Sequence, residues 1–390
     1  MTPLAHAEQA VLGALFLDPR QLERLSDWLR PEHFDRPVHA TLYAAMLKLR
    51  TEEHPATAEK STGPVPLSWI TDTVHEASLH TRGLTAVYPH LLVSACPRSE
   101  HAPMYGRMVL EGAIHRSVAQ HADRLHRVAL ADLEAGTADE TVHQTQVLSH
   151  VLAKMARTWG TEARPLQPTD DHPLLAQSTP PVTEQVLADE EFLLGCLVSQ
   201  PEQLLDLVPW LRPTDFADRG HQYIYRALGA LHHRGEPIDQ LTVLWEAQRR
   251  GALTDGTLDT ERVLRICDPL APGGPAAHYG EQVVTASLAR TAATAAQQVR
   301  ELASQDALAP GQLINYALYA LGPLDDARRR HRMASGTEPD PSHSGRQDTS
   351  PSRTEAARSR SRSHRSGSQR SRPAADVPPN PPRPTRRSPS

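Results

Sequence analysis

The feature that most constrains this chain is an internal repeat. Shifting the sequence by 182 residues aligns Glu8 to Leu49 with Glu190 to Leu231 without a gap, and 17 of the 42 positions are identical. The shared positions include Leu12-Gly13, Leu15, Pro19, Trp28-Leu29-Arg30-Pro31, Phe34, His39 and Tyr43, matched by Leu194-Gly195, Leu197, Pro201, Trp210-Leu211-Arg212-Pro213, Phe216, His221 and Tyr225. The correspondence resumes at a shift of 174, where Tyr105-Gly106, Val109 and Arg116 meet Tyr279-Gly280, Val283 and Arg290. A fixed-offset repeat of this length means one structural plan used twice.

That plan is helical. Val11, Leu12, Leu15 and Phe16, and their counterparts Leu193, Leu194, Leu197 and Val198, fall on one face of a helix. Asp18-Pro19 and Gln200-Pro201 mark turns, and helices are predicted to restart over Leu22, Leu25, Leu29 and over Leu204, Leu207, Leu211, each closed by the next proline. Leu42, Tyr43, Met46, Leu49 and Ile224, Tyr225, Leu228, Leu231 form a further stripe. The spacing of Val109, Ile114, Val118, Leu125 and Val128, then Val142, Val147, Leu148, Val151, Leu152 and Met155 after Ala135-Gly136, predicts a helical hairpin. Residues 277–303, followed by Leu313, Ile314, Ala317, Leu318 and Leu321 after Pro310-Gly311, predict its twin. No segment alternates with period two, so an all-α fold is expected.

Composition divides the chain further. Residues 160–183 carry five prolines among polar residues and read as a semi-extended linker. Residues 327–390 contain no Leu, Ile, Phe, Trp or Tyr and hold 15 Arg against 5 acidic residues, leaving 26 basic and 41 acidic residues in the acidic body. With no apolar surface to bury, that tail is expected to be disordered. The expected boundaries are therefore copy 1 at 1–156, linker at 157–185, copy 2 at 186–326 and basic tail at 327–390. No run of 18 apolar residues is present and the N-terminal residues lack a basic or apolar leader, which predicts a cytoplasmic protein. Cys96, Cys196 and Cys267 lack disulfide or zinc spacing and are expected to be buried, inert thiols.

The stretch Ala7-Glu-Gln-Ala-Val-Leu-Gly-Ala-Leu-Phe-Leu-Asp-Pro19, followed by Leu29-Arg-Pro-Glu-His-Phe34, His39 and Leu42-Tyr43, resembles the N-terminal domain of DnaB-type replicative helicases. So does Asp189-Glu-Glu-Phe-Leu-Leu-Gly-Cys-Leu-Val198, with Leu211-Arg-Pro-Thr-Asp-Phe216, His221 and Gly235-Glu-Pro-Ile-Asp-Gln-Leu-Thr-Val243. The resemblance implies a small helical globule followed by a hairpin, without catalysis of its own. In that family the domain packs against its copies in a hexameric ring and offers the hairpin to primase and loader-type partners. Two hairpins in one chain are then placed to pair as neighbouring subunits do. Such helicases continue into a motor with a GxxxxGK[ST] phosphate loop, and none of Lys48, Lys60 or Lys154 stands in that context.

The resemblance thus implies a non-catalytic DNA-replication protein of primosome type that needs no cofactor and binds replicative helicase, primase or helicase loader. Partner contact is expected at the hairpin apolar faces, at Ile114, Val118, Leu148, Val151, Val283, Val284, Leu313 and Leu318, with self-association or intramolecular pairing of the copies as the other use of those faces. The tail arginines Arg358, Arg360, Arg362, Arg365, Arg370 and Arg372 suit weak, salt-sensitive attraction to nucleic acid. Two alternatives stand beside this reading: a sequence-independent nucleic-acid binder working through the tail, and a helicase fragment served by a separately encoded motor. No Gly-x-Ser-x-Gly elbow, HExxH or glycine-rich phosphate loop occurs. His39 and His221 read as helix starts or partial core packing, because no second His or carboxylate recurs at ligand spacing with them. His115, His121 and His126 do not share one helix face.

Overall fold

The computed structural model describes residues 2–58, 64–85, 87–168, 180, 182–254, 256–268 and 274–336. The tail arginines from Arg358 to Arg372, and Lys60, lie outside these residues. The fold is all-α, and among the described residues no strand is present.

Copy 1 opens with α1 (Pro3–Leu17), whose first turn is set by Thr2 accepting from the Ala5 N–H and by Pro3 at a position that needs no amide donor. The turn at Pro19 leads into α2 (Leu22–Leu25), and α3 (Pro37–Thr51), α4 (Leu67–Ser78) and α5 (Tyr88–Ser94) complete a globular head. Two long helices follow, α6 (Ala102–Ala135) and α7 (Asp139–Trp159). Copy 2 repeats the order as α8 (Glu184–Ser199), α9 (Leu204–Leu207), α10 (Arg219–Arg234), α11 (Gln240–Arg249), α12 (Thr260–Ile266), α13 (Ala276–Ala303) and α14 (Pro310–Ala334). Gly136 closes α6 in the left-handed region at φ 69°, where a Cβ would be strained, and Pro310 starts α14.

Two expectations are corrected here. The second predicted helix is a single turn in each copy; Leu29 and Leu211 lie beyond it, in a bend held by the backbone bonds from Leu29 N to Leu25 O and from Leu211 N to Leu207 O. The last helix does not stop at residue 326. It runs to Ala334 because Ala327 is buried and Arg330 reaches the Asp215 and Asp326 carboxylates, an anchor that an apolar stripe does not reveal. Likewise α7 continues to Trp159, whose ring faces the Arg107 guanidinium at 4.9 Å.

Each head has its own core, with the same apparatus inside. The Phe34 and Tyr43 rings lie 5.1 Å apart, as do those of Phe216 and Tyr225, and both tyrosine hydroxyls donate to the carbonyl opposite, Leu29 and Leu211, at 3.4 Å. Gly106 and Gly280 are needed for the same reason: a Cβ on either would lie 2.9 or 2.8 Å from the Trp28 or Trp210 ring. The small residue lets the long helix lie directly on that indole, joining head to hairpin. A third core, made of Leu110, Ile114, Val118, Leu125, Leu148 and Leu152 with Leu288, Val299, Leu313, Ile314 and their alanine neighbours, lies in the hairpins, with Trp28 of head 1 packed against it.

Candidate functional site

The third core forms because α6 and α13 pack against each other. Going up α6, His115 meets Ala303 and Leu308, Asp123 meets Arg300, and Leu133 packs with Ala289, so the two helices run antiparallel. The two helices so paired are equivalents in the repeat, which is the antiparallel arrangement of an isologous pair, here within one chain. At its middle stand Ala122 and its equivalent Ala296, both fully buried. Small side chains there let the two backbones approach closely.

Polar contacts fix the register. Both ring nitrogens of His115 lie 3.0 Å from carbonyl oxygens of copy 2, those of Ala303 and Leu308, at the end of α13 and in the turn that follows it. The segment after α7 straps across the second hairpin, where the amides of Arg164 and Leu166 donate to the Asn315 side chain and carbonyl at 3.1 and 3.2 Å. Asn315 is buried, so these bonds are shielded from water.

Most of the hairpin residues named for partner contact are engaged inside the chain. Ile114, Val118, Leu148 and Leu313 are buried against the other hairpin of the same chain. Val283 and Val284 lie in the core of the copy 2 head, because the first turns of α13 serve the head before the helix reaches the hairpin. Val151 and Leu318 are half-buried, Leu318 packed on the third core and Val151 at an elbow between head 1 and its hairpin.

The family model of the DnaB-like helicase N terminal domain matches residues 3–111 and 182–284, together more than half of the sequence. The chain belongs to the DnaB-like helicase N-terminal domain family. It is 28% identical over 172 residues to the replicative DNA helicase DnaB of Mycobacterium leprae (strain TN), a stretch covering 42% of this chain and 26% of that protein. It is 32% identical over 116 residues to the replicative DNA helicase DnaB of Geobacillus stearothermophilus, covering 30% of this chain and 24% of the relative. The crystal structure of the N-terminal domain of DnaB helicase from Mycobacterium tuberculosis matches at 28% identity with a TM-score of 0.31, covering 37% of this chain and 96% of that one. The chain thus spans about a quarter of the length of these curated relatives, and the part that matches is their N-terminal domain.

Each DnaB-like head also contains a polar device that the periodicity does not show. Glu8, fully buried on α1, accepts from the Asp35 and Arg36 amides and lies 2.7 Å from His39 Nδ1. Glu190 does the same with the Ala217 and Asp218 amides and His221 Nδ1, also at 2.7 Å. The carboxylate, 31 residues before its histidine, ties the first helix to the start of the third. Its signal was its own identity in the repeat, at the same 182-residue shift as the histidine. The far ring nitrogens differ: His39 Nε2 meets the Tyr88 hydroxyl at 2.8 Å, whereas His221 Nε2 accepts from Arg262 at 2.9 Å, which leaves its Nδ1 as the donor to Glu190. With every polar atom engaged, the pair is a structural tie.

Among the described residues, no group of three His, Cys, Asp or Glu side chains is arranged to hold a metal ion, and no helix is long and apolar enough to cross a membrane. Cys196 and Cys267 are buried, and burial pushes the Cys267 thiol up to about 12; Cys96, expected to be buried, is half-buried.

Proposed function

We propose that this protein is a non-catalytic accessory of the DNA-replication machinery, binding replicative helicase, primase or helicase loader. The observation that carries the proposal is the pairing: two DnaB-like heads held in a fixed antiparallel arrangement by hairpins that satisfy each other within one chain. On this reading the protein imitates a dimer of helicase N-terminal domains, and partners engage the outer faces of the heads and hairpins. The buried hairpin residues named above hold the dimer-like form.

The test mixes the nuclease-treated full chain with the purified helicase, primase or loader of the same source, separately, and measures complex mass by size exclusion with light scattering. A complex with at least one of them, kept by a chain ending at residue 338, is the expected result. No complex with any of the three overturns the reading, and ATP hydrolysis by the chain alone overturns its non-catalytic part. A second reading rests on the excess of 15 Arg over 5 acidic residues in 327–390. It predicts instead that the full chain shifts DNA at low salt and that the chain ending at 338 does not.

A further inference from the structure

The two copies differ chemically at the elbow where head meets hairpin. His33 and Asp215 stand at equivalent positions of the repeat, and each caps the turn before it. His33 Nδ1 accepts from the Arg30 amide at 3.1 Å, and Asp215 accepts from the Arg212 amide at 2.8 Å. Asp215 does more: its carboxylate also accepts from Ser287 Oγ on α13 at 2.8 Å and from Arg330 on α14. One acid thus ties the copy 2 head to both of its hairpin helices.

Copy 1 has no acid in that place. Ala113 stands where copy 2 has Ser287, and the cation that α7 brings to the neighbourhood of His33 is Lys154. Lys154 is exposed and makes no ion pair among the described residues. Arg116, the other cation lining this elbow, is engaged: it donates to the His33 carbonyl at 3.0 Å and lies 3.4 Å from an Asp35 carboxylate oxygen. Glu32 lies exposed on the rim and pairs with neither cation.

His33 and Lys154 border one cavity of about 350 Å³, whose apolar walls come from Leu110 and Ile114 on α6 and from Val151 and Met155 on α7. That volume falls in the range of small-molecule sites, roughly 300–1,000 Å³. Burial lowers the His33 pKa from its ordinary value, and Arg30, Arg116 and Lys154 add to this against Glu32, so the ring is neutral near pH 7. With Nδ1 accepting from Arg30, its proton is on Nε2, a donor without a partner among the described residues and open to solvent. The cavity at the copy 2 elbow, about 440 Å³, has Thr214, Thr291, Thr294 and Gln298 among its walls instead, and neither Asp215 nor Arg330 borders it.

We propose that the copy 1 elbow binds a small organic monocarboxylate. Its carboxylate takes the role that Asp215 has in copy 2, meeting Lys154 Nζ and the His33 Nε2–H, and its hydrocarbon part lies on Ile114, Val151 and Met155. Both donors are accessible at the cavity, and two donors match the two oxygens of a carboxylate. One unpaired cation balances one negative charge, whereas a phosphate dianion would bring a second charge with no partner. The apolar walls reward a chain or ring over a bare anion, because each CH₂ that enters leaves water.

Isothermal titration of the full chain with butanoate, hexanoate and octanoate tests this, with 1-octanol, octylammonium and inorganic phosphate at matched ionic strength as comparators. Saturable binding at one site per chain is expected, tightening by up to about fourfold for each CH₂ added. Octanol and octylammonium should bind at least about tenfold more weakly than octanoate, for want of the charge-assisted pair. Lys154→Gln, at an exposed position, should weaken octanoate by a similar factor at an unchanged melting temperature. His33→Asp rebuilds the copy 2 acid beside Lys154 and should do the same while the melting temperature holds or rises. Octanoate titrations unchanged by Lys154→Gln would overturn the proposal, as would affinity that does not grow with chain length. So would octanol or phosphate binding as tightly as octanoate, or no saturable binding of octanoate.

Discussion

Copy 1 crosses from α3 to α4 in fifteen residues and turns the Trp69 ring wholly inside, its Nε1 donating to the Leu15 carbonyl at 3.0 Å. Copy 2 makes the same crossing, from α10 to α11, in five residues and leaves Trp245 64% exposed, with Val243 and Ala247 filling the core instead. Against that divergence, the glutamate–histidine tie, the tryptophan–glycine contact and the tyrosine hydroxyl bond are nearly superimposable in their distances. What the copies share is the set of contacts that aims the long helix; what they vary is the packing on the side of the head built by their fourth and fifth helices. The difference teaches that the paired hairpins are the element to which both heads are fitted.

If that is right, the largest effect comes from breaking the pairing. With a protease site placed between residues 169 and 179 and cleaved, the two halves should still elute as one species, held by the hairpin core. Val118→Glu puts an unpaired charge into that core at a cost of about 3–5 kcal/mol, and the cleaved halves should then separate on size exclusion. Halves that part without the substitution would show that covalent linkage, and not packing, keeps the copies together.

The heads themselves are compared by their tryptophans. Trp69→Ala should destabilise copy 1 by about 3–5 kcal/mol, whereas Trp245→Ala should change stability by less than about 0.5 kcal/mol. Denaturant unfolding followed by far-ultraviolet circular dichroism checks both. A large loss at Trp245 would mean that this exposed ring is covered in solution.

Smaller, and sharper as a comparison, are Glu8→Ala and Glu190→Ala. Each strands two backbone amides and a histidine N–H in a buried site, for about 2–3 kcal/mol. Nearly equal melting shifts are expected from the nearly equal geometry. A clearly larger loss for Glu190→Ala would assign the difference to Arg262, which faces His221 where copy 1 has the neutral Tyr88.

Much of this architecture was legible in the sequence because a repeat states every rule twice. The helical stripes, the Asp18-Pro19 turn and the Ala135-Gly136 break each correspond to an element end in the structure. The role of the hairpin faces was not legible, since an apolar stripe such as Ile114 and Val118 looks the same whether its partner is another protein or residue 299 of its own chain. Nor was the extension of α14, which depends on Arg330 finding Asp215 across 115 residues. The exchange of His33 for Asp215 was visible in the alignment, but its meaning required the geometry that puts Lys154 beside one position and Arg330 beside the other.

Acid should separate the copies in the order in which their titrating groups respond. In copy 1, burial lowers the pKa of His33, His121 and His126, outweighing Glu32 beside His33 and Asp123 beside His126. A depressed histidine favours the fold fully above its unfolded value of about 6.5, and that contribution is lost as pH falls below it. In copy 2, burial pushes Asp218, Glu191 and Glu246 upward, but opposing bonds prevail and each ends below its usual range. For Asp218 these are the His221 amide and Arg262; for Glu191, Arg265; for Glu246, Arg234 and Arg250. A depressed carboxylate contributes above its unfolded value, near pH 4, and the contribution disappears as pH drops through the folded value. His331 on α14 is depressed by burial like the copy 1 histidines, so the end of α14 belongs to the early phase. Hydrogen exchange of the full chain, corrected for intrinsic rates, should therefore show the elbow and hairpin of copy 1 and the end of α14 loosening from about pH 6.5 downward, with the copy 2 head protected until about pH 4. Simultaneous loss of both heads would mean that the hairpin core couples them into one cooperative unit and that local titration does not set the order.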